Sequence, residues 1–424
     1  MNACTILQKL DEGELSGLLA PLYGADGCIF AGKRLRMLVQ QYEERFGGHE
    51  ISVFSAPGRV ELGGNHTDHQ RGRVLAASVS TDVLAVAAPN GENVVRIVSE
   101  GFPDTVVDLA DLTPHPEEFG TTAALVRGCA AGMVERGIVP GGFNACMTSD
   151  IPSGGGLSSS AAFEVLTAGI LNRFFAESRF SPVHLAQIGQ YAENVYFGKP
   201  SGLMDQCASA VGGVVQIDFR CPEAPEIETV PFDFENCGYT VCAVDSGASH
   251  ADLTAEYAAI PEDLAHICAF FRKNVLREVD ETQFYENLPA LRAAAGDRAV
   301  LRAMHVFDEN RRVTAEAAAL RAGDLPAFLR LVCDSGDSSA LFLQNITPCG
   351  AARDQALALT LALCRRALDG RGAYRVHGGG FAGSALVFVP NDRLDEFRAT
   401  VEHTLGSGAC RVLRIRAKGF AQLL

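Results

Sequence analysis

The sequence predicts an α+β protein of two domains, on three observations. Helical apolar spacing and β-branched strand runs occur in both halves of the chain without strict βα alternation. The chain has 424 residues, which at roughly 100–200 residues per domain provides for two domains. Its composition, 47% hydrophobic and 21% charged, is that of a globular protein and excludes global disorder.

The elements follow in order. Leu7, Leu10, Leu15, Leu18 and Leu19 recur at helical spacing, as do Leu35, Leu38 and Tyr42, so residues 1–50 read as helices. Runs rich in β-branched residues then predict strands at Ile51–Ser55, Val83–Ala88, Val94–Val98, Val106–Leu109 and Asn144–Thr148. Helical pattern resumes over Ser159–Phe175 and Val183–Tyr196. Two strands, Val214–Ile217 and Thr240–Val244, flank a polar, proline-containing stretch, Asp218–Asp233. The domain boundary is placed there, giving domains 1–218 and 219–424. Leu264, Ile267, Cys268, Phe271 and Val275 mark one further helix, and others are expected over about 296–330 and 351–368. Ala385–Val389 and Val412–Ile415 read as closing strands.

The net charge of −15 removes any general electrostatic attraction to nucleic acid. An anionic ligand must therefore be met by local positive features. No apolar run reaches the roughly 18 residues of a membrane span, and Met1–Thr5 has no basic region leading into an apolar core. The 13 cysteines are scattered and form no CxxC pair, which fits reduced thiols in a cytoplasmic protein. The ten histidines show no HExxH spacing, against a zinc enzyme.

Three loops carry polar chemistry. Ser55–His69 packs Arg59, Asn65, His66 and Asp68 beside three glycines. On composition alone it is a turn-rich surface loop, although its side chains also suit a polyhydroxylated ligand. Ile151–Ala162 runs through Gly154, Gly155 and Gly156 into a helix. Glycines admit an anion close to the backbone, and a helix N-terminus offers unpaired N–H groups, so phosphate binding is expected. The loop lacks the GKS/T ending of a Walker A motif and is not G-x-G-x-x-G. Val376–Ser384 holds a third glycine run, Gly378 to Gly380, marking a close backbone approach.

Together these loops resemble the galactokinase family, within the superfamily of homoserine, mevalonate and phosphomevalonate kinases. Gly58–His69 is similar to G-R-V-N-L-I-G-E-H-T-D-Y, Pro152–Ala162 to P-x-x-x-G-L-S-S-S-A-A, and Gly378–Gly383 to G-G-G-F-G-G. Gly202-Leu203-Met204-Asp205-Gln206 matches G-x-M-D-Q. Order and spacing agree over nearly the whole chain. The resemblance implies a ribosomal-protein-S5-like N-terminal lobe and a ferredoxin-like C-terminal lobe, with the active site in the cleft between them.

It further implies an ATP-dependent galactokinase that makes galactose 1-phosphate. Asp205 would be the catalytic base, a position that by itself also suits a helix cap, and Arg59 its partner at the transferring phosphoryl group. Asn65, His66, Asp68, Gly202 and Tyr257 would meet the sugar. Gly154, Gly155, Gly156, Leu157, Ser158, Ser159, Ser160 and Ala161 would hold the ATP phosphates. Ser159 and Glu193 would carry Mg²⁺, although Glu193 alone reads as a solvated helix glutamate.

Several positions depart from the family pattern. Asn65 replaces Glu, His69 replaces Tyr, Ser201 stands where Cys is frequent, Ala382 replaces Gly, and Ala258-Ala259-Ile260 stand where an Arg pair follows Tyr257. A neutral Asn65 opens a same-chemistry alternative, a sugar 1-kinase for galacturonate, arabinose or another galactose-configured sugar. A non-catalytic sugar and ATP sensor is a third reading, weakened by the intact Ser158–Ala162, Asp205 and Arg59. The expected partners are a small sugar and ATP, with no nucleic acid and no membrane. A monomer is expected, otherwise a small homo-oligomer.

Overall fold

Two helices open the chain, α1 (Ala3–Asp11) and α2 (Ser16–Phe46), the first capped by Asn2, whose side chain accepts from Thr5 N. Gly24, at φ 74°, breaks α2. Leu19, Leu22, Leu35, Leu38 and Tyr42 are buried against Val53, Leu84 and Val86 of the first sheet. The protein is described here from a computed structural model, over residues 1–48, 50–152, 156–249 and 253–424.

The chain continues through β1 (Ser52–Gly63), β2 (Arg73–Pro89), β3 (Val94–Ser99), β4 (Thr105–Asp108), α3 (Thr122–Glu135) and β5 (Phe143–Ser149). Then come α4 (Ser159–Phe175), α5 (Pro182–Tyr191), a π-helical segment Ala192–Phe197, α6 (Met204–Val211), β6 (Val214–Asp218) and β7 (Glu226–Thr229). The second half is β8 (Tyr239–Asp245), α7 (Thr254–Phe270), α8 (Glu281–Glu286), α9 (Leu288–Arg321), α10 (Leu325–Ser338), a second π segment Ser339–Leu343, and α11 (Ala356–Leu368). It closes with β9 (Ala373–His377), β10 (Ser384–Pro390), α12 (Leu394–Leu405), β11 (Cys410–Leu413) and β12 (Ala421–Gln422).

These make a mixed α/β fold with two sheets. The larger has the order β12-β1-β2-β5-β3-β4, with β6 pairing β2 and β7 pairing β6. All its pairings are antiparallel except β3 with β5. The smaller, β11-β8-β10-β9, is antiparallel throughout. One buried core joins Val60, Leu75, Met147 and Leu166 to Leu386, Phe388 and Leu413 of the smaller sheet. Among the described residues no single helix is long and apolar enough to cross a membrane. Only α1 and α2, as a pair bent by 52°, pass that test together.

The strand that the sequence ends at Ser55 runs on to Gly63, so half of the first polar loop is sheet. Every residue of β1 after Ser52 is buried, and a strand covered on both faces shows no alternation to read. Its pairing with β2 slips between Pro57 and Arg59, where a residue without an N–H is tolerated. Sequence reasoning also passed over α3, which is rich in Ala and Gly and buried along most of its length. A helix buried all round has no apolar stripe. The helix centred on Leu264 begins earlier, at Thr254, and ends before Val275.

Candidate active site

β1 carries Arg59 inward, and α6 presents Asp205 in its first turn. The guanidinium grips the carboxylate with both prongs: Nε donates to Oδ1 at 2.7 Å and Nη2 to Oδ2 at 2.5 Å. The third nitrogen, Nη1, donates to the Gly156 carbonyl. The Arg59 backbone N–H bonds the Leu157 carbonyl at 3.0 Å. One arginine thus fastens the glycine-serine loop to the first motif. Gly58 makes room for this, since a Cβ there would stand 2.9 Å from Leu157 O.

Burial pushes the Asp205 carboxyl upward, but the Arg59 charge and its hydrogen bonds outweigh it and hold the group below the usual carboxylate range. Its side chain is 25% exposed, against 8% for Arg59. The pair therefore offers an ionised carboxylate at an accessible edge.

The described part of the glycine-serine loop turns through Gly156 (φ 74°) and Ser158 (φ 58°) into the N-terminus of α4. Gly154 and Gly155, expected on the phosphates, lie outside the described residues. Leu157 and Ala161 are buried, whereas Ser159 is exposed at the first helical position. Glu193 lies in the first π segment and is 2% exposed on its side chain. Its Oε1 accepts from Ser160 Oγ (3.1 Å) and Lys199 Nζ (2.8 Å), its Oε2 from Ser201 Oγ (2.6 Å) and Gln206 Nε2 (2.9 Å). Glu193 is thus no solvated glutamate, and Ser160 rather than Ser159 is the loop hydroxyl bonded to it.

Asp68 follows the first motif's turn and faces α6. A Cβ on Gly202 would overlap Asp68 Oδ2. Burial, and then the nearby Asp205 charge, push the Asp68 carboxyl up to about 6, although the His69 N–H bonds it at 2.9 Å. Asp68, Gly202, Asp205 and Arg59 thus share one corner.

Asn65, His66 and Tyr257, expected on the sugar, are each joined to the third glycine loop. Asn65 Nδ2 donates to Gly378 O at 2.7 Å, His66 Nε2 to Gly379 O at 3.0 Å, and the Tyr257 hydroxyl to Gly380 O at 2.8 Å. Asn65 is fully buried. Its second amide hydrogen reaches Glu61 Oε1 at 3.1 Å, and its Oδ1 accepts from Asn345 Nδ2 and Ser339 Oγ. The expected place of Asn65 beside a sugar substituent stays a proposal. Its hydrogen-bonding capacity is consumed within the protein.

The same network fixes the histidines. Because a carbonyl only accepts, His66 carries its proton on Nε2. Its Nδ1 then accepts from His69 Nε2 (3.3 Å), and His69 Nδ1 accepts from Gln70 Nε2 (3.3 Å). Burial pulls His66 down to about 4 and His69 down to about 3, so both rings are neutral.

Sequence reasoning missed Glu61, although the family pattern has Asn at that position. The acid of the motif has changed places: Asn-to-Glu over positions 61 and 65 has become Glu-to-Asn. Glu61 pairs with the buried Arg375 at 2.5 Å and its N–H bonds His377 Nε2 at 3.2 Å. Burial raises the Glu61 carboxyl to about 7 against the pull of Arg375. A letter-by-letter comparison with the motif would have found the exchange. Nothing local marks Arg375 or His377, which meet β1 only in three dimensions.

Comparisons with known proteins agree with this geometry. The family described as "Galactokinase galactose-binding signature" matches residues 40–89, and "GHMP kinases N terminal domain" matches residues 124–213. A galactokinase of Streptomyces coelicolor is 30% identical over 383 residues, 89% of this chain and 94% of that protein. One of Actinobacillus pleuropneumoniae is 29% identical over 374 residues, 87% of this chain and 93% of that protein. The crystal structure of Lactococcus lactis galactokinase complexed with galactose superposes with a TM-score of 0.77 at 25% identity, covering 93% of this chain and 100% of that one. A mevalonate kinase of Methanococcus jannaschii, at 15% identity and a TM-score of 0.62, shares the fold over 86% of this chain and 98% of its own.

Proposed function

This chain belongs to the galactokinase family and is an ATP-dependent sugar kinase, and from that premise we propose that the Arg59–Asp205 corner transfers phosphate to the anomeric hydroxyl of galactose. The two-pronged Arg59–Asp205 pair carries the reading. Asp205 takes the proton of the C1 hydroxyl as its oxygen bonds the γ-phosphorus and the bond to ADP breaks. Arg59 keeps Asp205 ionised beforehand and offsets charge growing on the phosphoryl oxygens. The α4 N-terminus and the stretch from Gly156 to Ala161 face the phosphates, and Gly154 and Gly155 are assigned to them on the sequence motif alone. Asp68 and the Gly202 turn hold the sugar beside Asp205. His66 and Tyr257 act through the third glycine loop.

Mg²⁺ takes oxygen ligands, typically one or two carboxylates completed by substrate phosphates. Glu193 with Ser159 and Ser160 supplies oxygens of that kind, and the ion would take the place of the Lys199 ammonium that now holds Glu193 Oε1 at 2.8 Å. Buried Glu164 Oε1 and Gln206 Oε1 beside it have no hydrogen-bond partner, marking a site rich in oxygen acceptors. The ion would neutralise phosphate charge.

We read the two sheets as the centres of two lobes, an S5-like one and a ferredoxin-like one, divided near 218/219 with the site between them. β7 and β12 belong by pairing to the first sheet. Thirteen cysteines, none in a disulfide, support a cytoplasmic location. A monomer remains the proposed state.

A related sugar 1-kinase is the second reading, favoured by one observation: Asn65 leaves no free side-chain group for a C6 substituent, which suits a pentose such as arabinose. ADP release measured across galactose, galacturonate, arabinose, glucose and N-acetylgalactosamine separates the two. Phosphorus NMR of the product tests the position, and phosphate on any oxygen but that of C1, or no sugar phosphate at all, overturns the proposal.

A further inference from the structure

Helix α9 runs beneath the first motif; two of its side chains hold that motif by its backbone and a third holds the start of β2 just after it. Glu309 Oε1 accepts from the N–H groups of Gly64 (3.0 Å) and Asn65 (3.3 Å) and from Ser335 Oγ (2.6 Å), while its other oxygen pairs with Arg312. His305, one turn earlier, bonds the Asn65 carbonyl through Nε2 at 3.0 Å and Ser338 Oγ through Nδ1 at 2.8 Å. Asn310 Oδ1 accepts from the Arg73 N–H at 2.7 Å, where the chain leaves the motif for β2. His305 and Glu309 are fully buried.

We infer that Glu309, supported by His305 and Asn310, is the positioning residue that sets the sugar-side turn of the first motif and through it the place of Asp68. This rests on the galactokinase reading of the site. The turn needs such a hold because it is bent through Gly64 at φ 96° and His66 at φ 58°. A non-glycine residue in the left-handed region persists only where its surroundings over-determine it. The constraint passes along the chain: Thr67 N donates to the Gly64 carbonyl at 3.1 Å, and the Thr67 hydroxyl, with one proton to give, stands 2.9 Å from Gly64 O and 2.5 Å from Arg73 O. Asp68 follows directly, against Gly202 and near Asp205.

A purely structural helix would not need this chemistry. Removing a carboxylate from water is costly, and apolar packing between α9 and the sheet would serve stability as well or better. A charged acceptor shared by two consecutive N–H groups, by contrast, fixes backbone orientation. Burial pushes the Glu309 carboxyl up, but His305, Arg312 and Arg375 outweigh it and hold the group down at about 2, so it stays charged. None of the three α9 residues is placed against the reacting atoms, so they act on substrate only through the motif.

The test compares Glu309→Ala, Glu309→Gln and Val313→Ala in the full chain. Val313 is buried on the same helix, one turn on, and is an apolar core residue. Galactose and ATP affinities are measured by calorimetry, with Tm for each variant. Glu309→Ala is expected to weaken galactose binding about tenfold or more, the scale of one charge-assisted hydrogen bond, with ATP affinity unchanged. Glu309→Gln restores most of it, since an amide oxygen can accept both N–H groups. Val313→Ala lowers Tm and leaves galactose binding alone. Equal loss of both ligands in Glu309→Ala, unchanged galactose binding there, or a matching galactose loss in Val313→Ala overturns the inference. Should Glu309→Ala not fold, Asn310→Ala carries the same comparison, and unchanged galactose binding in it counts against the inference. A wild-type protein that binds no galactose removes the galactokinase reading itself, whereas galactose-binding wild type with indifferent variants removes only the role of Glu309.

Discussion

Asp68 Oδ2 occupies the space in which a side chain at position 202 would begin. The atom that must yield to a Cβ is the tip of a side chain, so the cost in stability is small and the cost in function is not. Gly202→Ala is expected to turn Asp68 out of its corner and raise the galactose KM about tenfold, the loss of one good hydrogen bond, with Tm nearly unchanged. A fall in Tm without a change in KM would show that Gly202 serves only the backbone.

Asp205→Asn keeps the shape of the side chain but neither takes a proton nor balances Arg59. Turnover is expected to fall by ~10²–10⁴, the usual worth of a general base, with galactose still bound. Single-turnover kinetics beside calorimetry checks this. A variant that keeps more than about a tenth of the wild-type rate would make Asp205 a helix cap rather than a base.

Asp68 titrates near 6 and Asp205 lies below the usual range. As pH falls through about 6, Asp68 takes up a proton and loses acceptor strength toward sugar hydroxyls. The expected profile of kcat/KM for galactose therefore drops on its acid side near that pH and is level just above it. Asp205 remains ionised across this window. In Asp68→Asn the acid limb should disappear from a profile lowered overall, and its persistence would assign the titration elsewhere.

Glu61 and Asn65 exchange a hydrogen bond in a buried network that also holds Arg375. Asn65→Glu would set a second carboxylate beside the first. At an effective dielectric near 20, like charges about 4 Å apart cost roughly 4 kcal/mol. Because Glu61 already titrates at about 7, proton uptake relieves this repulsion near neutrality, and the single variant is expected to lose stability in urea titrations mainly as the pH is raised above that value. The double variant Glu61→Asn/Asn65→Glu, which rebuilds the order of the family motif, is expected to recover part of it. Strict additivity in this double-mutant cycle would show the two positions to be uncoupled.

The chemistry-bearing loops were legible because glycine, proline and polar residues crowd together there for local reasons. Most elements were legible too: α4 has the bounds its apolar spacing predicts. What sequence could not show is which partner each polar side chain finds. Asn65 and His66 sit in a motif that reads as ligand-facing, yet their nitrogens meet carbonyls more than 300 residues away in the chain. Glu309 lies in a helix whose charged residues look solvated in sequence, and only packing against β1 and α10 reveals it as buried. Long-range pairing leaves no periodic trace, so buried polar networks were the part that sequence reasoning missed.

The two π-helical segments, at Ala192–Phe197 and Ser339–Leu343, each amount to one extra residue in a helix. Both stand at the C-terminal end of a helix, after α5 and after α10, so removing that residue would close the last turn to α geometry and draw back the loop that follows. In the first segment that would change how Glu193 meets Lys199 and Ser201; in the second, how Ser339 meets Asn65. A one-residue deletion at either place would therefore do more harm than most substitutions nearby, while a matched deletion and insertion on either side would be tolerated.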